Sequence, residues 1–251
     1  MSGHSKWSSI KHKKGAADDK RGQLFTKLTR ALIVAAKEGG ADPASNLSLQ
    51  NAIEKARAAS MPKDNIERAI ARGAGTGADA ATFEHISYEG YGPGGVAVYV
   101  EVLTDNRNRT AGEVRHMFSR HDGNLAESGA VAWLFERKGV ILVDADSTDE
   151  DELTLAAADA GADDITQEGS SFEVICAAEA LHAVREALET AGIRVTDAES
   201  TMVPKTTVAI EDEATAKKVL KLIDGLEEND DVQDVYANFD IPERVLEAVA
   251  V

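Results

Sequence analysis

Apolar positions recur at helical spacing along the first third of the chain, and mostly at strand spacing beyond it. Between residues 18 and 38, Leu24, Phe25, Leu28, Leu32 and Ala35 fall within one face of roughly 100°. Lys27, Arg30 and Lys37 fall opposite, which predicts an amphipathic helix. A second helix is predicted from a cap at Ser45 or Asn46 through LQNAIEKARAA, with Leu49, Ile53 and Ala56 on one side. A third is predicted from Pro62, which suits a first helical turn, to Arg72 ahead of Gly73. Short turns between the three predict a small bundle. The Gly/Ala-rich stretch GAGTGADAAT that follows reads as a connection, so a first domain is placed at residues 1–78.

From there the pattern is that of strands. VAVYVEVL, starting at Val96, is apolar and β-branched, and the segment after it, TDNRNRTAGEVRHMF, predicts a helix. Thr110 and Glu113 have capping-box spacing, with Val114, Met117 and Phe118 facing a sheet. VAWLFER predicts another strand. The interval 139–205 then reads as strand GVILVD, helix DELTLAAADAGA, strand DITQEG, strand SFEVICA, helix EALHAVREALETAG and strand VTDAEST. That order, βαββαβ, is the split arrangement of a ferredoxin-like domain. One more helix, EATAKKVLKLIDGLEE, and one more strand, VQDVYANFD, are too little to make a core alone and are expected to complete the sheet begun at residue 83. The expected fold class is α+β. An N-terminal three-helix domain (1–78) precedes a discontinuous α+β sandwich (79–138 plus 206–251), into which a third, ferredoxin-like domain (139–205) is inserted.

Charge sharpens this division. Up to Gly75 there are 14 Lys+Arg and 7 Asp+Glu, net +7; the rest holds 13 and 37, net −24, giving the chain its −17. No Lys or Arg occurs from Gly139 to Val184, while Asp144, Asp146, Asp149, Glu150, Asp151 and Glu152 cluster early in that stretch. A solvated face accounts for this; an acidic docking surface for a basic protein is the alternative. The longest purely apolar run, ALIVAA, is far below the roughly 20 residues of a membrane span, and no apolar secretory core opens the chain. A basic, acid-free start resembles a transit peptide in charge, but the cations are mostly Lys rather than Arg. The one cysteine, Cys176, sits in a strand pattern and reads as a core thiol rather than a nucleophile, consistent with a reducing cytoplasm.

Cofactor motifs are weak. GYGPGG has the G-x-G-x-x-G pattern at Gly90, Gly92 and Gly95, but a strand rather than a helix follows, so it reads as a turn joining two strands. The six histidines show no ligand spacing, and His116 and His121 do not share a helix face. No cofactor and no metal are expected. Candidate nucleic-acid contacts are Lys6, Trp7, Lys11, His12, Lys13 and Lys14, followed along the first helix by Lys20, Arg21, Lys27 and Arg30. Trp7, among lysines, is placed to stack on an unpaired base. TDNRNRT puts Arg107 and Arg109 just ahead of a helix N-terminus, with Arg115 further along, as candidate phosphate contacts. Pairing of Arg107 and Arg109 with nearby acids is the equal alternative.

The stretches GHSKWSSIKHKKGAADDKRGQLFTKLTRAL, DPASN, MPKDNIERAI, YEGYGPGGVAVYVEVLTDNRNRTAGEVRH and AVAWLFERKG, in that order, resemble the YebC/PmpR family. The match runs from Gly3 to about Gly139, weakens through the insert and resumes in the tail. The resemblance implies a cytoplasmic three-domain protein with no known enzymatic activity. Bacterial members are catalogued as probable DNA-binding transcriptional regulators, whereas others, including a mitochondrial translational activator, act in protein synthesis, with a role proposed at stalled ribosomes. Departures are LSLQ after DPASN, where a proline and a basic residue are expected, and Ala126 and Glu127 in place of glycine and a small polar residue.

The leading expectation is a non-enzymatic, nucleic-acid-binding regulator of gene expression. Its target is duplex DNA, or ribosomal RNA on the ribosome; charge does not separate the two. An enzyme holding a phosphorylated substrate at Arg107 and Arg109, and an adaptor binding basic proteins through the acidic insert, are the rivals from other classes.

Overall fold

The computed structural model describes residues 17–75, 83–168 and 171–249. The fold is α+β: an N-terminal helical region followed by antiparallel sheets. The described chain divides into two compact units, one of residues 17–131, 210–235 and 241–249, the other of 132–209 and 236–240.

In the first unit, helices α1 (Ala17–Gly39), α2 (Leu47–Ala58) and α3 (Lys63–Gly73) enclose a core of Leu32, Ile33, Ala36, Leu49, Ile53, Ile66 and Ala69. Phe25 and Leu28 pack against that core, but Leu24, expected on the same face, is 45% exposed. Asn46 explains why DPASN ends one helix and starts the next. Its Oδ1 accepts from the Leu49 amide at 3.0 Å, capping α2, while its Nδ2 donates to the Ala35 and Gly40 carbonyls at 2.7 and 2.8 Å at the end of α1.

A sheet in the order β3-β1-β2-β9 is formed by β1 (Glu84–Tyr91), β2 (Ala97–Thr104), β3 (Asn124–Leu125) and β9 (Val232–Ala237), of which β1 to β3 and the first four residues of β9 belong to this unit. The tail strand thus joins the sheet begun at residue 83, as the sequence predicts. GYGPGG forms the β1–β2 turn, with Gly94 at φ 72° and Gly95 at φ 78°, values that side chains with a Cβ rarely adopt. On one face lies α4 (Arg107–Arg120), burying Thr110, Val114 and Phe118; α7 (Glu213–Glu227) and α8 (Glu243–Val249) belong to the same unit. Glu89 on β1 is buried, and its carboxylate accepts from the Gly129 and Val131 amides, both at 2.7 Å, tying down the loop that follows β3.

The second unit is βαββαβ. Strands β4 (Phe135–Asp144), β5 (Ala162–Glu168), β6 (Ser171–Ala177) and β7 (Val195–Pro204) pair antiparallel in the order β5-β6-β4-β7. Helices α5 (Glu150–Asp159) and α6 (Leu181–Thr190) close its core through Leu153, Ala157, Val184 and Leu188 against Ile141, Val143, Phe172 and Val174. This is the ferredoxin-like order that the pattern predicts. A short parallel pair, β8 (Val208–Ala209) with β10 (Phe239–Asp240), completes the unit.

One expectation fails here. VAWLFER and GVILVD do not form two strands: Ala132–Leu134 is a 3-10 turn, Trp133 is 66% exposed, and a single strand runs from Phe135 through Gly139 to Asp144. Gly139 is no break because it serves packing: a Cβ there would lie 2.7 Å from Cys176 Sγ and 3.0 Å from Leu181 Cβ. Of the acidic cluster, Asp144 accepts from the Asp146 amide and Asp149 caps α5 by accepting from the Glu152 amide, while Glu150, Asp151 and Glu152 occupy the first turn, where a helix favours negative charge.

Candidate nucleic-acid interface

Of the candidate contacts, Lys6, Trp7, Lys11, His12, Lys13 and Lys14 lie outside the described residues. Lys20 belongs to α1, and Arg21, next to it, is exposed. Lys27 and Arg30 have a different placement from the one expected. Both are half-buried, and both reach the turn between α7 and β9. Lys27 Nζ donates to the Glu227 carbonyl at 2.6 Å; Arg30 donates through Nη1 to the Asp230 carbonyl and to Asp231 Oδ1, the latter at 2.6 Å. The Arg30 guanidinium also stands 5.6 Å from the centre of the Phe83 ring. In this arrangement the two cations hold protein acceptors rather than facing solvent opposite the apolar side of α1.

Asp231 is the centre of this cluster. Its side chain is 4% exposed, and its second oxygen, Oδ2, accepts from Arg109 Nη2 at 2.6 Å, Thr110 Oγ1 at 2.5 Å and Thr104 Oγ1 at 3.1 Å. Its backbone is fixed as well: the Asp231 carbonyl accepts from the Leu103 amide on β2 at 2.8 Å, and its amide donates to Asn229 Oδ1 at 2.8 Å. Burial pushes the Asp231 carboxyl up. The hydrogen bonds from Arg109 and Thr110, the Arg30 charge and the Thr104 hydroxyl outweigh burial and hold it below the usual carboxylate range. The hydrogen bond to Asp231 in turn holds Arg109 charged.

The start of α4 corrects the expected capping box. Asn106, not Thr110, is the cap: its side chain accepts from the Arg109 amide at 3.1 Å, so the helix begins at Arg107. Thr110 lies one turn inside and is fully buried, its hydroxyl on Asp231. Arg107 and Arg109 therefore sit in the first turn rather than ahead of it, and they part ways. Arg109 pairs with Asp231 and with Asp105 at 3.0 Å, the acid-pairing alternative, with Glu113 at 3.9 Å. Arg107 and Arg115 are exposed and have no carboxylate within ion-pair distance among the described residues. The Tyr88 hydroxyl lies 3.4 Å from the Arg107 carbonyl oxygen.

The other reactive groups are placed for structure. Cys176 is fully buried in the core of the second unit; burial first, then the Asp163 charge, push its thiol up against the opposing pull of Lys138. His121 is held below its usual value by burial and by the Arg120 and Lys221 charges, with Asp122 opposing. Among the described residues no three His, Cys, Asp or Glu side chains converge on a metal position, and no helix is long and apolar enough to cross a membrane.

Comparison with known proteins adds a separate line of support. The family model described as TACO1/YebC protein N-terminal domain matches residues 5–76, and that described as TACO1/YebC second and third domain matches residues 83–239. A protein of Rubrobacter xylanophilus is 59% identical over 250 residues, and one of Syntrophobacter fumaroxidans is 54% identical over 250, each match covering 100% of both chains. Both are named "Probable transcriptional regulatory protein". Among solved structures, the crystal structure of a conserved hypothetical protein from Aquifex aeolicus is 51% identical with a TM-score of 0.81, covering 93% of this chain and 96% of that one.

Proposed function

We infer that this chain, which belongs to the TACO1/YebC family, is a non-enzymatic regulator of gene expression that acts in the cytoplasm by binding nucleic acid through its basic amino-terminal segment. The observation that carries this reading is the charge partition: net +7 up to Gly75 against net −24 beyond it. Solubility does not require a basic head on an acidic body, and a segment with Lys11, Lys13 and Lys14 in four residues has the composition of a phosphate-contacting arm. The names of the Rubrobacter and Syntrophobacter relatives agree with a regulatory role. Because Lys27 and Arg30 hold acceptors in the 227–231 turn, we assign the contacts to Lys6, Trp7, Lys11, His12, Lys13, Lys14, Lys20 and Arg21. The working division of the chain is 1–78 for the basic helical domain, 79–138 plus 206–251 for the central one and 139–205 for the acidic insert.

Phosphate contacts position a protein without reading sequence, so duplex DNA and ribosomal RNA are both served by such a head. Trp7 among lysines favours unpaired bases and gives the ribosomal reading its specific support. The test is salt-titrated binding of the full chain to a promoter-length DNA duplex and to purified ribosomes, beside a Lys11→Glu, Lys13→Glu, Lys14→Glu variant. Loss of three phosphate contacts lowers the slope of log K against log salt by about 2 to 3, at roughly 0.9 per contact. A slope change on DNA at physiological salt supports a transcriptional role, and one confined to ribosomes a translational role. Unchanged binding of both by the variant refutes the assignment.

A further inference from the structure

We propose that Arg107 and Arg115, with the Tyr88 hydroxyl beside them, form a second contact site for the phosphodiester backbone of nucleic acid. The site lies on the exposed flank of α4, so it adds to the basic amino-terminal segment and rests on the nucleic-acid reading above. Beyond Gly75 the chain carries 13 cations against 37 acids, yet α4 alone holds four arginines and one glutamate in 14 residues. Folding accounts for one of the four, since Arg109 is consumed by Asp231, Asp105 and Glu113. Among the described residues Arg107 and Arg115 have no carboxylate at ion-pair distance, in a molecule where carboxylates far outnumber cations.

Their geometry suits a chain of phosphates. Arg107, Ala111 and Arg115 follow one another at intervals of four on the helix, so the two arginines share a flank with only a small side chain between them, about 12 Å apart along the axis. Tyr88, on β1, adjoins them: its hydroxyl stands 3.4 Å from the Arg107 carbonyl, and against burial the Arg107 and Arg115 charges pull its phenol down. Burial pushes that phenol up, so it keeps its proton at neutral pH and is available as a donor. At 3.4 Å its bond to the neutral Arg107 carbonyl is long, and a phosphate oxygen is the stronger acceptor. Asp231 is the acid that also acts on Tyr88, but its two oxygens are taken by Arg30, Arg109, Thr110 and Thr104, so it does not compete for Arg107. Acids elsewhere on the body are screened beyond a Debye length of about 8 Å.

The experiment measures fluorescence anisotropy of the full chain against a labelled single-stranded RNA, its RNA duplex and a DNA duplex of the same sequence, each from low to physiological salt. The variants are Arg107→Ala with Arg115→Ala, the same pair changed to Lys, and Tyr88→Phe, each checked for an unchanged thermal melt. Removing two phosphate contacts lowers the log K against log salt slope by about 1.8, at roughly 0.9 per contact, and the double-Lys variant restores most of it. Tyr88→Phe weakens binding a few-fold at unchanged slope, because a neutral donor releases no counterion. The three probes show which strand form uses the site. A double-Ala slope equal to that of the unaltered chain, on probes whose slope does fall with the Lys11, Lys13 and Lys14 changes, overturns this site while leaving the nucleic-acid reading standing. No binding of any probe by the unaltered chain overturns both.

Discussion

Replacing Asp231 by Asn keeps the shape of the cluster and removes its charge, which makes it the sharpest test of how the first unit is held together. Three losses add up. Arg30, 17% exposed, loses a charge-assisted hydrogen bond of roughly 1.5 to 2 kcal/mol. Arg109 is 42% exposed and rehydrates, so its share is discounted to roughly 0.5 to 1 kcal/mol. Thr104 and Thr110 are fully buried, but Thr110 Oγ1 retains Thr104 Oγ1 at 2.8 Å and the Asn106 carbonyl at 3.1 Å as alternative partners, so the hydroxyls together lose about 1 kcal/mol. The expected destabilisation is about 3 to 4 kcal/mol at pH 7, or a fall in Tm of roughly 6 to 16 °C for a chain of this size.

The pH dependence gives a second, independent reading. In the folded chain the Asp231 carboxyl is held below its ordinary value of about 3.9, so the stability it contributes is fully present above pH 4. It is lost as pH falls further, through the folded-state value. Urea unfolding followed by circular dichroism should therefore show a constant gap between the native chain and Asp231→Asn from pH 7 to about pH 5, closing below about pH 4. A gap under about 1 kcal/mol at pH 7, or one that widens as the carboxyl protonates, refutes the argument. Arg30→Ala and the double change complete a cycle, in which a coupling near zero would show that the 2.6 Å contact contributes nothing.

Two further outcomes follow from single buried groups. Glu89→Gln replaces an acceptor of two backbone amides by a side chain with one acceptor oxygen, so amide exchange at Gly129 or Val131 should accelerate tenfold or more, while β5 to β7 of the other unit keep their protection. Cys176, fully buried with its thiol pushed up first by burial, should be silent to an aromatic disulfide reagent in the native chain at pH 8 and react within minutes in urea; rapid native labelling would show that the core of the second unit opens freely.

The elements were readable because each carries its own local signal. Helical spacing placed α1 to α3, the α2 cap was narrowed to Ser45 or Asn46, of which the structure selects Asn46, and apolar, β-branched stretches gave β2 and β6. The element order βαββαβ was legible along the chain, whereas the pairing β5-β6-β4-β7 joins strands distant in sequence and is seen only in the structure. Where the signal was ambiguous, packing decided. Gly139 looks like a strand end in sequence, but it is needed mid-strand so that Cys176 and Leu181 can approach, and Thr110 looks like a cap only until Asn106, four residues earlier, takes that role. The strand Glu84–Tyr91 is marked by the GYGPGG turn that ends it rather than by its own periodicity, and the helix Glu243–Val249 carries a pattern too weak to be placed.

Ion pairing is a different kind of problem, because charge is written in the sequence and partnership is not. Asp231 stands in ENDDV as one acid among 44, with nothing local to mark it as the residue that Arg30 and Arg109 meet from 201 and 122 positions away. Nor does composition separate Arg109 from Arg107, two positions apart in TDNRNRT. Register does: successive helical positions turn by about 100°, so residues two apart point to different sides of α4. One arginine meets the β9 turn and is consumed; the other lies near Tyr88 with no carboxylate at ion-pair distance among the described residues. The same sorting acts on α1, where Lys27 and Arg30 are drawn to the 227–231 turn while Arg21 stays exposed. A basic stretch therefore overstates its own binding capacity until the cations the fold requires are subtracted, and it is the remainder that can meet phosphate.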